Sequence, residues 1–107
     1  MLARDPRDRE AWPVVTARAV TSLADLVEIG LPLVAPGGIL VAWKRAPVDD
    51  ELEAAGRALR ALRAAPVEVV PAGVPGLETH RLVIVPRGGA IDARFPRDAA
   101  ERRHRPL

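Results

Sequence analysis

The chain has 107 residues, no cysteine and a net charge of only +2, with 49% of its residues hydrophobic. This allows one core-forming domain or a piece of one, and it excludes a disulfide framework, a thiol nucleophile and a thiolate metal site. No apolar run approaches the roughly 20 residues that span a bilayer, and the charged opening Met1–Glu10 has no signal-peptide apolar stretch, so the cytoplasm is the expected location. With two Trp and one Phe, the core must be built from Val, Leu, Ile and Ala.

Residues 1–11 read as a polar lead-in with at most a short helical turn. Val14-Val15-Thr16-Ala17 is a short run rich in β-branched residues, which predicts a buried strand. Ser22 followed by Asp25 fits a capping box, and Leu23, Leu26, Val27, Leu31 and Val34 continue at helical spacing. Pro32 lacks an N–H and should bend or end that helix, and Pro36-Gly37-Gly38 is a firm stop. Ile39 to Trp43 is apolar on both faces, as expected of a central parallel strand covered by helices on both sides. Asp50 and Glu53 suggest a second cap, followed by Leu52, Ala55, Leu59 and Leu62 on one face and Arg57, Arg60 and Arg63 on the solvated side. Val67–Val70 and Arg81–Val85 are strands joined by a loop at 74–78, a connection short enough to predict an antiparallel pair. No periodicity survives beyond Pro86, so the remainder reads as an extended tail.

The order β-α-β-α-β-β predicts an open α/β sheet, with 1–11 as lead-in, 12–86 as the α/β part and 87–107 as a basic tail of one partial domain. From Arg94 to Leu107 the tail holds five Arg (94, 97, 102, 103 and 105) against Asp98 and Glu101. Arg97, Arg102, Arg103 and Arg105 can neutralise phosphates while Phe95 stacks or packs. Equally, the tail can lie across the sheet as a strap with Phe95 as its anchor. Arg18 stands just beyond the first predicted strand, where ligands of open α/β sheets collect, and a fixed guanidinium there can hold a carboxylate. His80 and His104 are isolated, without metal-ligand spacing, and no acid–base pair or Ser-His-Asp set can be assembled.

Three stretches together resemble the 16S rRNA (guanine-N7)-methyltransferases, the family once called glucose-inhibited division protein B. The first is Asp5-Pro-Arg-Asp-Arg-Glu10 leading into Val14-Val-Thr-Ala-Arg-Ala-Val20. The second is Leu31-Pro-Leu-Val-Ala-Pro-Gly-Gly38 with Ile39 to Lys44, and the third is Arg94-Phe-Pro-Arg97 with Arg105-Pro-Leu107. A Pro-Gly-Gly turn is common in α/β proteins, whereas the strand-ending Thr-Ala-Arg-Ala and the tail motif are more specific. The resemblance covers nearly the whole chain but only the carboxy-terminal half of the family's Rossmann-like class I methyltransferase domain.

The resemblance implies S-adenosylmethionine as cofactor, with Arg18, Thr16 and Ala17 lining its pocket. It implies 16S rRNA as partner, with Lys44 facing substrate and the tail residues Arg94, Phe95, Arg97, Arg102, Arg103 and Arg105 on the RNA. No catalytic residue and no metal are implied. Two family features are missing. Pro13 stands where an acidic residue usually precedes the strand, and none of the eight glycines forms a G-x-G-x-x-G-like cofactor loop. The chain is therefore expected to be inactive alone and to pair with a complementary amino-terminal half. The alternative is a non-catalytic RNA-binding or split-partner module, and a third reading makes Met1 a misassigned start inside a longer frame.

Overall fold

A computed structural model describes residues 9–18 and 21–107. Most of the lead-in, and Ala19 and Val20 of the strand-end motif, lie outside the described residues. The elements in chain order are β1 (Trp12–Arg18), α1 (Leu23–Gly30), a 3₁₀ turn (Leu31–Leu33), β2 (Val34–Arg45), α2 (Asp49–Ala54), α3 (Gly56–Ala61), β3 (Glu68–Pro71), β4 (His80–Pro86) and α4 (Ala99–His104). They form one four-stranded sheet in the order β1-β2-β4-β3. β1 runs parallel to β2, while β4 is antiparallel to both β2 and β3. The α/β class, the alternation of strands and helical connections through β4 and the antiparallel final pair agree with the sequence reading.

Local chemistry explains the boundaries. Ser22 caps α1 by accepting the Asp25 N–H at 3.1 Å, as its spacing suggested. Pro32 ends the helix and opens the 3₁₀ turn, because its ring crowds the preceding turn and it has no N–H to donate. The Pro-Gly-Gly turn does not stop a helix before a separate strand. It is a bulge inside β2, where the β1 register jumps from Trp12↔Val34 to Val14↔Ile39. Gly37 there takes a left-handed φ of +83°, and a Cβ on Gly38 would stand 2.4 Å from the Pro13 carbonyl, so both positions require glycine. The second expected helix is divided at Ala55 into α2 and α3, and no side chain caps α2. Asp49, Asp50 and Glu51 occupy its first turn instead, where the helix dipole favours acids.

The core lies on one face of the sheet. Leu40, Ala42, Val83 and Val85 point into a cluster with Leu23, Val27 and Leu31 of the α1 region and Ala55, Ala58 and Leu62 of the α2–α3 region. The opposite face is different: Ile39, Val41, Trp43 and Ile84 are only half-buried, and Val14 is 53% exposed. Two expectations are corrected here. Among the described residues β2 is covered by helices on one side only, because the α1 and α2–α3 connections both pack onto the same face. β1 is not a buried strand either. Trp12, Val14 and Thr16 are exposed because β1 is the sheet edge and belongs half to the open face.

An edge strand with an apolar face is a template for association. The isolated chain is therefore expected to self-associate through β1, and Val14→Lys should shift it toward monomer in sedimentation without lowering its melting temperature. A wild-type monomer with amides protected along Val14–Ala17 in hydrogen exchange contradicts this.

Candidate functional site

The carboxyl ends of β1 and β2 meet at one rim of the sheet. Arg18 is the register partner of Trp43 across the parallel pair, and Arg45 is the partner of His80 across the antiparallel one. Together with Lys44 and Leu77 these residues line an open pocket of about 440 Å³. Trp43 and His80 meet edge to face with ring centroids 6.4 Å apart, and His80 Nδ1 is buried without a hydrogen-bond partner. The sequence placed Arg18 and Lys44 at strand ends. It gave no reason to select Trp43, Arg45 or His80, because the antiparallel register that brings β4 to this rim is not visible in spacing alone.

Lys44 is turned inward. Its side chain is 9% exposed, and its ammonium forms an ion pair with Glu51 and donates to the Thr21 carbonyl at 3.1 Å. Glu51 also accepts the Leu23 N–H at 3.1 Å. This node ties the end of β2 and the first turn of α2 to the start of α1, and so fixes one end of the connection that leaves Arg18. Thr16 points to the open face, and Ala17 is half-buried on the helix side. Among the described residues no cluster of His, Cys, Asp or Glu could hold a metal, and no helix is long and apolar enough to cross a membrane.

The tail is not an extended segment. Asp98 caps α4 by accepting the Glu101 N–H at 2.8 Å, a capping box that Asp98-Ala-Ala-Glu101 already spells. Phe95 is 2% exposed and Ile91 8%, both within the core cluster. Arg97 grips the buried Glu28 of α1 with three bonds: Nε to Oε2 at 2.8 Å, Nη2 to Oε1 at 2.8 Å and the backbone N–H to Oε2 at 2.9 Å. Arg102 binds Asp25 at 2.8 Å and the Arg97 carbonyl at 2.7 Å. Arg9 donates to the carbonyls of Phe95 and Asp92, and Arg87 joins Val34 O at 2.8 Å to Glu10 at 2.6 Å. Phe95, Arg97 and Arg102 are thus engaged within the fold, while Arg94, Arg103 and Arg105 are exposed. Arg94 lies over the Phe95 ring at 4.6 Å. His104 is exposed in the last turn of α4.

Burial opposes ionisation of Glu28, but hydrogen bonds from the Arg97 side chain and backbone, with the charges of Arg97 and Arg102, outweigh it and hold the carboxyl below the ordinary glutamate range. The buried anion lies inside α1, so the tail is pinned to the helix that follows Arg18.

No family profile matches the chain. Among curated proteins, it is 40% identical over 107 residues to the ribosomal RNA small subunit methyltransferase G of Roseiflexus castenholzii, covering 100% of this chain and 46% of the relative. The protein of the same name from Chloroflexus aggregans is 42% identical over 106 residues, covering 99% and 44%. That of Dehalococcoides mccartyi is 34% identical over 98 residues, covering 91% and 42%. Among solved structures, the carbon methyltransferase CurJ superposes with a TM-score of 0.55 at 18% identity, over 83% of this chain and 34% of that one. The last likeness speaks for the fold, which is part of a Rossmann-like sheet. The chain spans less than half the length of the curated relatives it matches, and its likeness to these ribosomal RNA small subunit methyltransferases runs along 91–100% of its own length.

Proposed function

We propose that these 107 residues form the carboxy-terminal half of a methyltransferase domain that moves the methyl group of S-adenosylmethionine to N7 of a guanine in 16S rRNA, in the cytoplasm. The observation that carries this reading is 34–42% identity to proteins named as small-subunit rRNA methyltransferases, sustained over 91–100% of the chain. The open β1 edge and the uncovered sheet face support the second element of the reading, a complementary amino-terminal half. Such a half would add strands beside β1 and helices over Val14, Ile39 and Val41.

The residues present fit only part of the cofactor. Arg18, at the end of β1, can hold its carboxylate, with Thr16 and Ala17 nearby. The glycine-rich loop of related enzymes has no counterpart here. When bound, the cofactor supplies an electrophilic methyl group. Guanine N7 already carries a lone pair, so alignment of the nucleophile can supply much of the rate without a strong base. That agrees with a rim that offers guanidinium groups, an indole and an imidazole. Lys44 is assigned to positioning the β1–α1 connection, in place of the substrate contact expected from its strand-end position.

The missing loop also favours a second reading, in which the chain is a non-catalytic RNA-binding or split-partner module. Calorimetry separates the two. The isolated chain is expected to bind S-adenosylmethionine poorly. A chimera in which it replaces the matching stretch of the Roseiflexus castenholzii relative should bind tightly, and Arg18→Ala should weaken that binding at least tenfold. A chimera that folds but does not bind the cofactor supports the module and overturns the enzyme reading.

RNA affinity is assigned to the exposed tail cations Arg94, Arg103 and Arg105, with Phe95, Arg97 and Arg102 acting as their support. Each phosphate neutralised on single-stranded RNA contributes roughly 0.7 to the slope of log K against log salt. Replacing the three exposed arginines with alanine should flatten that slope for all RNAs alike, and leave the melting temperature unchanged. An unchanged slope would make the whole tail a structural strap.

A further inference from the structure

We propose that the pocket framed by Trp43, Arg45 and His80 is the seat of the nucleotide that accepts the methyl group, with its base against the Trp43 indole and its phosphate on Arg45. The role of that nucleotide rests on the methyltransferase reading above, but its binding does not. Four observations converge. Among the described residues the lining contains Arg18, Lys44 and Arg45 and no carboxylate. Lys44 is already committed to Glu51 and the Thr21 carbonyl, so the positive charge left at the rim belongs to the exposed Arg18 and Arg45. An electropositive concavity of this kind draws an anion.

The second observation is aromatic. Trp43 is half-buried at the rim and held against His80 by the edge-to-face contact, which restricts the indole to a narrow range of positions. A fixed indole beside a guanidinium is the pairing used for unstacked nucleotides, since bases stack on the ring while the cation takes the phosphate. Third, the His80 imidazole lines the same pocket beside Trp43, adding a polar ring against which a nucleotide can rest. Fourth, about 440 Å³ falls within the usual range for small-molecule sites and accommodates a mononucleotide. Placement agrees with chemistry: Arg18, on the cofactor side, is the direct register partner of Trp43, so donor and acceptor would occupy adjacent strand ends.

The test uses the 107-residue chain with Trp12→Phe, which removes the exposed second indole and leaves Trp43 as the only tryptophan. Titration with guanosine 5′-monophosphate is expected to quench Trp43 fluorescence saturably, guanosine to do so more weakly, and inorganic phosphate not at all. By calorimetry, Arg45→Gln should weaken the mononucleotide about tenfold and leave guanosine nearly unchanged. Trp43→Leu should weaken both about tenfold or more, as loss of base–aromatic stacking does, and Trp43→Phe should restore most of the affinity, which excludes a folding defect as the cause. No saturable quenching, equal effects of phosphate and mononucleotide, or indifference to Arg45 and Trp43 would each overturn the site. Mononucleotide binding by a chimera that never binds S-adenosylmethionine would overturn the methyltransferase reading alone. A methylating chimera indifferent to both substitutions would overturn this assignment alone.

Discussion

Arg97→Ala is expected to destabilise the chain by about 3–5 kcal/mol, the usual cost of breaking a buried ion pair from one side. Glu28 has a side chain 2% exposed and Arg97 one 10% exposed, so removing the guanidinium leaves a carboxylate in the core without its two side-chain bonds. The loss should appear as a large drop in melting temperature or in the denaturant midpoint. Arg97→Lys should recover little, because an ammonium cannot reproduce the forked contact to both carboxylate oxygens. Glu28→Gln should cost less than Arg97→Ala, since the amide oxygen still accepts from the Arg97 guanidinium, which also keeps its bond to the Arg105 carbonyl. The same pair sets an acid limit. The Glu28 carboxyl is held below its ordinary value of 4.5, so its contribution is complete above that pH and is lost as pH falls through the lower folded value. Unfolding midpoints measured across the acid range should fall less steeply in Glu28→Gln than in the parent chain. Identical acid profiles would show that the pair contributes nothing.

Phe95→Ala carries the second large effect, also about 3–5 kcal/mol for a buried aromatic reduced to a methyl group. Phe95 is 2% exposed and sits in the core cluster with Ile91, and its backbone carbonyl accepts from Arg9. Because the described helices cover only one face of the sheet, the domain has little reserve, and this substitution should unfold a large fraction of the chain at 37 °C. Circular dichroism on heating measures it. If the melting temperature of Phe95→Ala stays within a degree or two of the parent, the ring stacks on a ligand outside the fold and is not an anchor.

These two residues mark where sequence reasoning reached and where it stopped. Strand and helix positions were legible because local rules decide them: Ser22 and Asp25 cap α1, Pro32 ends it, and the short apolar runs at 39–43 and 81–85, rich in Val and Ile, favour strands. The burial of β1 was misjudged because Val14-Val15-Thr16-Ala17 reads the same at an edge as at the centre of a sheet. Whether Arg97 meets an RNA phosphate or Glu28 depends on a contact 69 residues distant in the chain, which composition does not encode. Residue order did encode α4, through Asp98 and Glu101, and the dominance of arginine in that stretch obscured it. At the candidate site, Arg18 followed from its place after a strand, whereas Trp43, Arg45 and His80 became a set only through the β2–β4 register.

The central claim, that this chain is one half of an rRNA guanine-N7 methyltransferase, is tested most directly by the product of a completed enzyme. The chain, joined to the stretch of the Roseiflexus castenholzii relative that it does not span, would be incubated with S-adenosylmethionine and unmethylated 16S rRNA, with the intact relative as the positive control. Mass spectrometry of the digested RNA is expected to find 7-methylguanosine at the same nucleotide that the intact relative modifies, and its yield should fall steeply with Arg18→Ala. A folded, cofactor-binding chimera that leaves the RNA unmethylated, or places the methyl group on any other atom, would contradict the claim.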